Sequence, residues 1–151
     1  MKIEIEIDEN IKEDKFIIKC KELTDDINKI QKAIKEILEK KIQITFYKDN
    51  VEYYISLGEV LFFETENSNI NAHTKENVYQ VKYKLYELEE ILPNNFMRVS
   101  KSTILNVDLI YSVTKNITSS SIVEFQNTHK TVYVSRYYYK PLKLKLLEKR
   151  R

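Results

Sequence analysis

One stretch of this chain combines anchoring and binding chemistry: Asn94-Asn95-Phe96-Met97-Arg98-Val99-Ser100-Lys101-Ser102-Thr103-Ile104-Leu105-Asn106. It begins with an Asn-Asn turn and ends near an apolar pair, so both ends favour a fixed position on a folded domain. Between the ends lie two cations, Arg98 and Lys101, and three hydroxyl side chains. Clustered donors on an anchored segment indicate a surface that binds an anion such as phosphate.

The basic residues of the chain are concentrated around and after this stretch. The 151 residues together carry a net charge of only +2. Residues 96–151, however, contain 11 Lys and Arg against 3 Asp and Glu, which is a net charge of +8. A basic third on a nearly neutral chain indicates a polyanionic partner, although lysine-rich tails also serve solubility alone.

Several other classes of protein lack the residues they would need. A single cysteine, Cys20, excludes a disulfide within the chain and a cysteine-based zinc site. The chain has a single glycine, Gly58, which excludes glycine-rich phosphate loops. Neither His73 nor His129 has a metal-ligand partner at the usual spacing or belongs to a catalytic motif. We therefore expect no enzyme activity, no metal and no cofactor.

The N-terminal 40 residues have a pattern of their own. Isoleucines alternate with charged residues over 2–8, which predicts a strand, and residues 16–20 predict a second one. Apolar residues at helical spacing over 24–40, with Thr24 as the N-cap, predict a helix. This β-β-α unit over residues 1–40 is too small to be stable alone. We expect it to pack either on the following domain or on its own copy in a homodimer.

Residues 41–151 predict a mostly β domain, so that the chain is α+β overall. Short β-branched and aromatic runs predict strands over residues 42–47, 51–55, 60–64, 69–74, 77–82, 110–114, 121–126 and 130–135. Residues 85–92 predict a short helix that ends before Pro93. A closing helix is predicted to begin near Lys140, because Pro141 is best accommodated in a first turn.

The stretch from Phe96 onward resembles F-x-R-x-x-[KR]-S-x-[IL]-[VI]-N-x-x-x-I, a hallmark of the LytTR-type DNA-binding domain of bacterial transcription regulators. Three further segments occur in the order that the family has: Ile55-Ser56-Leu57-Gly58-Glu59-Val60-Leu61-Phe62-Phe63-Glu64, Ala72-His73-Thr74 and Val134-Ser135-Arg136-Tyr137. The resemblance covers residues 44–148, about two thirds of the chain.

The resemblance implies a fold and a function. The family is an elongated stack of small antiparallel sheets that reads promoter DNA in the major groove with loops, which agrees with the lack of a helix-turn-helix pattern in the basic third. Many relatives carry a receiver domain, for which 40 preceding residues leave no room. Likeness to small regulators of this kind also implies a possible membrane-protein partner encoded nearby. With no apolar run near the roughly 20 residues that span a bilayer, we expect a cytoplasmic protein.

Three loops are implied to contact DNA. The first supplies Ser68 or Asn69, although it lacks the histidine or aromatic residue of many relatives. The second supplies Lys101 for a base, with Ser100 and Ser102 for phosphate. The third supplies Arg136, Tyr137, Tyr138 and Lys140. Many relatives have Arg-Arg where this chain has Arg136-Tyr137.

Other motif residues are open to a structural role. Arg98 belongs to the DNA-binding set but is also expected to pair with Asp108, and Asn106 is expected to close a turn through its amide. Two alternatives to the regulator remain at this level: a protein-interaction module with a basic solubilising tail, and an RNA-binding protein.

Overall fold

The computed structural model describes residues 2–38 and 42–149. They belong to two units, which are described separately. The predicted boundary between residues 40 and 41 lies outside the described residues, as does the end of the predicted first helix.

A seven-stranded antiparallel sheet forms the centre of residues 42–149. Its spatial order is β2-β1-β5-β4-β3-β7-β6. One short helix, α2 (Leu85–Ile91), connects β5 to β6 and packs against the sheet. The strands are β1 (Phe46–Lys48), β2 (Val51–Tyr53), β3 (Phe62–Glu66), β4 (Asn69–His73), β5 (Val78–Val81), β6 (Phe96–Arg98) and β7 (Thr103–Asn106).

A second antiparallel sheet has three strands in the order β10-β9-β8. They are β8 (Ile110–Thr114), β9 (Ser121–Phe125) and β10 (Thr131–Val134), and β10 leads directly into α3 (Arg136–Lys149). The expected mostly β fold of stacked antiparallel sheets is confirmed. No two of the described helices follow each other in the chain, so these residues contain no helix-turn-helix.

Two hydrophobic cores lie on opposite faces of the large sheet. The first core joins this sheet to α2 through residues such as Phe63, Ile104 and Leu88. The second core joins the sheet to β9, β10 and α3 through residues such as Phe62 and Leu105. Because successive strand residues point to opposite faces, β3 and β7 contribute to both cores, and every residue of β7 is buried.

Two hairpin turns use left-handed backbone conformations at consecutive residues. Asp49 and Asn50, between β1 and β2, have φ angles of 52° and 62°, and Asn67 and Ser68, between β3 and β4, have 48° and 68°. Two positive φ angles in a two-residue connection match the twist of an antiparallel hairpin. Ser68 is the unusual member, because serine gains less than asparagine from this conformation.

Residues 2–38 form one helix, α1 (Asp25–Leu38). Thr24 caps it as predicted, because its Oγ1 accepts a hydrogen bond from the Ile27 backbone N–H at 3.3 Å. The two predicted strands, residues 2–8 and 16–20, are wrong, since no described residue before α1 is in a strand. Alternation alone is insufficient: Ile5 is 84% exposed, and a strand or hairpin with no sheet to join is marginal in water.

The predicted start of the last helix is also wrong. Helix α3 begins at Arg136, one turn before Lys140, and Pro141 therefore lies inside it. Proline lacks the N–H that would bond to the carbonyl four residues earlier, which costs stability. Burial of Leu142, with Tyr138 and Leu146 packed on the second core, offsets that loss.

Candidate nucleic-acid interface

The turn after β3 and the loop before β7 lie at the same end of the large sheet. Strand β3 pairs antiparallel with both β4 and β7, and Glu64 is opposite Thr103. The Thr65 N–H then donates a 2.9 Å hydrogen bond to the Ser102 carbonyl. The predicted first and second DNA loops are thus neighbours, connected through the backbone.

The second and third loops are joined in the same way. The Ser135 N–H, just before α3, donates a 2.9 Å hydrogen bond to the Val99 carbonyl. Val99 is fully buried in the second core, so packing fixes the residue that connects the second loop to the start of α3. All three predicted loops consequently meet along one edge of residues 42–149, which we call the loop edge: residues 66–69, 99–102 and 135–140.

The second loop is a compact hairpin end between β6 and β7. The Ser100 Oγ accepts a 3.2 Å hydrogen bond from the Ser102 N–H, and the two hydroxyl groups are 3.4 Å apart. Lys101 lies between them and is exposed. The loop therefore presents one free-standing ammonium group flanked by two small hydroxyl donors.

Arg98 holds this loop from behind. Its Nε donates to the Ser100 carbonyl at 2.7 Å and its Nη2 donates to the Lys101 carbonyl. Its Nη1 binds the Glu89 carboxylate of α2 at 2.9 Å. The expected partner of Arg98, Asp108, instead pairs with Lys149 of α3. With three guanidinium nitrogens engaged, Arg98 positions the carbonyls on both sides of Lys101.

The third group lies in the first two turns of α3 rather than in a loop. Arg136, Tyr137 and Lys140 are exposed there, and Tyr137 is 81% exposed, as expected for at least one of the three tyrosines. Tyr138 points the other way: it is half-buried against the second core, and its ring lies 4.9 Å from that of Tyr137. The positive end of the α3 dipole adds to the positive charge of this part of the loop edge.

The first group consists of Ser68 and Asn69, both exposed. Ser68 occupies the second position of the β3–β4 turn, and Asn69 begins β4 opposite Glu66. The Glu66 carboxylate accepts a 2.8 Å hydrogen bond from the Asn71 side chain, so this acidic group is engaged with β4. The turn thus carries polar side chains with no basic residue of its own.

Asn106 serves the scaffold, as expected. It is 1% exposed, its Nδ2 donates to the Val60 carbonyl at 3.1 Å, and its Oδ1 accepts from the Asp108 N–H at 3.1 Å. The same oxygen also accepts from Asn95 Nδ2 at 3.0 Å. The amide therefore closes the turn after β7 and fixes the end of the strand that carries the second loop.

His73 lies away from the loop edge, at the far end of β4. Its ring stacks on Phe62 with centroids 4.3 Å apart, and Nε2 lies 2.8 Å from Glu64 Oε1 without the alignment of a hydrogen bond. This contact is ionic only when the imidazole is protonated. Burial lowers the pKa of His73 below its usual 6.5, and the nearby Glu64 carboxylate opposes that shift. On the other side of the ring, Lys130 Nζ is 3.4 Å from Nδ1, and burial lowers the pKa of Lys130 as well.

Sequence reasoning missed Glu89 and Val99 as supports of the site. Glu89 is an exposed acid on α2, and only the tertiary fold brings it to Arg98. Val99 acts through its carbonyl, which no side-chain pattern can indicate. The sequence shows only that an apolar residue, Val99, stands between the polar residues Arg98 and Ser100.

Comparisons with known proteins agree with this geometry. Residues 50–147 match the model of the LytTr DNA-binding domain. HTH-type transcriptional regulators from Staphylococcus aureus strains NCTC 8325 and COL are 31% identical over 146 residues, covering 97% of this chain and 98% of theirs. A solved LytTr DNA-binding domain from Bacillus cereus superposes with a TM-score of 0.64 at 26% identity, covering 71% of this chain and 97% of that one. The chain therefore belongs to the LytTR family of DNA-binding domains.

Proposed function

We infer that this protein is a DNA-binding transcriptional regulator whose loop edge reads promoter DNA in the major groove. The observation that carries the proposal is the pair of backbone hydrogen bonds, Thr65 to Ser102 and Ser135 to Val99, that brings three polar or basic segments to one edge. Promoter DNA lies in the bacterial cytoplasm, where we propose that the protein acts. Family membership favours this function over the interaction-module and RNA-binding alternatives, and we assign the chain no catalytic role.

The proposed roles follow from length and charge of the side chains. Lys101 is long, exposed and supported on both sides, so we assign it to a base edge, where lysine donates to guanine O6 or N7. We assign Ser100 and Ser102 to phosphate, together with Arg136, Tyr137 and Lys140, because these donors fix the register of a protein on DNA.

The remaining predicted site residues receive other roles. We assign Arg98 and Tyr138 to positioning, since their polar or aromatic groups are engaged within the protein. We assign Ser68 and Asn69 a contact with the duplex at the end of the loop edge that residues 66–69 form.

A salt titration of binding to duplex DNA tests the proposal. Each phosphate contact releases counterions, so the logarithm of the binding constant should fall with the logarithm of salt concentration at a slope of about −0.9 per contact. Several contacts therefore predict a slope of roughly −3 or steeper. Binding that is insensitive to salt would contradict the proposed interface.

Two lysine variants separate base reading from phosphate binding. Lys101→Ala should reduce the preference for the operator by about 1–3 kcal/mol, measured against a scrambled duplex. Lys140→Ala should weaken binding to both duplexes alike. The matched control is Lys75→Ala, an exposed lysine in the β4–β5 connection at the opposite end of the sheet, which should bind both duplexes as wild type does. The operator itself is obtained by selection from random duplexes.

We further propose that residues 2–38 associate with a second copy of the chain. The apolar face of α1 carries Ile27, Ile30, Ile34 and Ile37, and none of the described residues 2–38 is buried. The first turn of the helix is acidic, with Asp25 and Asp26, and the last turn contains Lys35. The last turn also contains Glu36, so the isoleucine face rather than charge supports the association of two copies as an isologous dimer.

Sedimentation measures the oligomeric state and tests this association. Wild type should sediment as a dimer, and Ile37→Glu should convert it to a monomer, because Ile37 is 74% exposed and its replacement spares the fold of one copy. Asn28→Glu adds the same charge to a polar position of α1 and should remain dimeric. A monomeric wild type would overturn the dimer and leave a different protein, such as a membrane protein encoded nearby, as the partner of α1.

A further inference from the structure

We propose that the tip of the β8–β9 hairpin, residues 115–120, is a fourth element of the interface and binds a backbone phosphate of the DNA together with the start of α3. The proposal rests on the proposed function of the loop edge and extends it to a segment that the sequence motifs do not include.

The strand register places this tip beside the loop edge. Thr114 is opposite Ile122 at the end of β8, and Ser121 is opposite Val134 at the end of β10. The end of β10 leads through Ser135 into α3, and Ser135 is bound to the Val99 carbonyl. The hairpin tip, the first turn of α3 and the second loop therefore lie at the same end of residues 42–149.

A groove of about 300 Å³ separates the tip from α3. Its lining includes three cations, Lys115 from the tip and Arg136 and Lys140 from α3, and none of the described acidic residues. None of the ion pairs found within residues 2–38 and 42–149 uses any of these three. Three positive charges around one small groove repel each other, and a bound anion removes that cost.

Lys115 is held in this groove by an aromatic ring. Its Nζ lies 5.2 Å from the centroid of Tyr139, within the range of a cation–π contact. The contact orients the ammonium group toward α3 although the residue itself is exposed. The charge is thus directed at the same space that Arg136 borders.

The tip is ordered by its own hydrogen bonds. The Asn116 N–H donates to Ser121 Oγ at 3.2 Å, and the Thr118 N–H donates to Asn116 Oδ1 at 3.2 Å. Ser121, whose Oγ accepts the first of these bonds, lines the groove together with Lys115 and Asn116. A lysine with short hydroxyl donors suits phosphate oxygens, whereas base edges require long side chains that reach into the groove. The contact should therefore be independent of DNA sequence.

The decisive variant is Lys115→Met, which removes the charge while keeping an unbranched side chain on Tyr139. We expect the salt slope of DNA binding to become shallower by about 0.9, with a loss of affinity of roughly three- to tenfold near 0.1 M salt that is equal for operator and scrambled duplex. Lys115→Arg keeps the charge and should restore both values. Lys75→Ala, away from the loop edge, serves as the control, and circular dichroism checks that each variant is folded.

Three other outcomes would overturn the phosphate contact of Lys115, and one of them would also overturn the proposed function. If wild type binds DNA with a steep salt slope and Lys115→Met has the same slope, the fourth contact is wrong and the proposed function stands. If wild type shows no salt-dependent binding to DNA, the proposed function fails and this inference fails with it. Inorganic phosphate at constant ionic strength is the last probe. If it binds to wild type but not to Lys115→Met, and the salt slope of DNA binding is the same for both proteins, the groove binds a free anion and the DNA contact is overturned.

Discussion

Residues 42–149 and residues 2–38 differ in what they bury. Within the described residues, all 21 buried apolar side chains belong to the former, distributed over two cores. The latter expose nine large apolar side chains and bury none. Apolar surface withdrawn from water is the main stabilising contribution to a fold. The difference indicates that residues 42–149 are stabilised from within, whereas residues 2–38 need a second surface.

The largest expected effect comes from emptying the first core. Phe63→Ala removes a ring that is fully buried between β3 and α2, and should lower the free energy of unfolding by about 3–5 kcal/mol. The matched variant Phe16→Ala removes the same ring from a site that is 70% exposed, and should change stability by less than about 0.5 kcal/mol in the monomer. Urea denaturation measures both, and equal losses would break the comparison.

A smaller loss is expected from the buried amide that closes the β7 turn. Asn106→Ala leaves the Val60 carbonyl and the Asp108 N–H without their partner, which should cost about 1–3 kcal/mol. Asn10→Ala removes an exposed side-chain hydrogen bond, from Asn10 Nδ2 to Asp8 Oδ1, and should cost less than about 0.5 kcal/mol. If thermal unfolding shows the two asparagines to be equivalent, burial is not what distinguishes the two regions.

His73 should make the stability of residues 42–149 depend on pH. Because burial holds its pKa below 6.5 in the folded protein, the unfolded chain takes up this proton first as the pH falls below 6.5. Wild-type stability should therefore decline through that range. His73→Gln should decline less steeply, with Glu64, Glu66 and Lys130 as the charged groups that remain around the site.

The comparison of pH slopes has its own control. His129→Gln replaces an exposed histidine in the β9–β10 connection and should keep the wild-type slope. Identical slopes for wild type and His73→Gln would show that the buried histidine does not govern the acid side of the stability curve.

The smallest effect should come from removing the N-terminal region. A chain that begins at residue 42 retains both cores, so its free energy of unfolding should differ from that of the monomeric full chain by less than about 1 kcal/mol. Urea denaturation of both chains, at a protein concentration where sedimentation shows monomers, measures the difference. A loss of several kcal/mol would show that residues 2–38 contribute to the stability of the domain itself.

Local patterns predicted most of the β architecture but located its ends poorly. The β-branched and aromatic runs found β2 to β5 and the three strands of the second sheet, with ends displaced by up to two residues, whereas the predicted start of β1 was four residues too early. They gave no indication of β6 or β7, which have three and four residues and mix polar with apolar side chains. They also predicted strands over 2–8 and 16–20, where a regular pattern has no neighbouring strand to pair with.

The candidate site could be predicted through its motif and not through its contacts. The resemblance indicated three loops, and their common edge agrees with that expectation. The acidic partner predicted for Arg98 was wrong, because α2 and not the turn after β7 brings a carboxylate to it. Such pairings depend on how elements pack and leave no trace in local spacing. DNA contact by each residue of the motif stays a prediction.

The hydrogen bond between Ser135 and Val99 has a mechanical consequence. A buried residue couples the second loop to α3, so the separation between these two proposed contact points cannot adjust freely when the protein meets a duplex. The more compliant partner is then the DNA, whose bending and groove width vary with base sequence. We expect operator preferences to extend to base pairs that no side chain touches, because the duplex that bends most readily to this rigid spacing loses the least energy on binding.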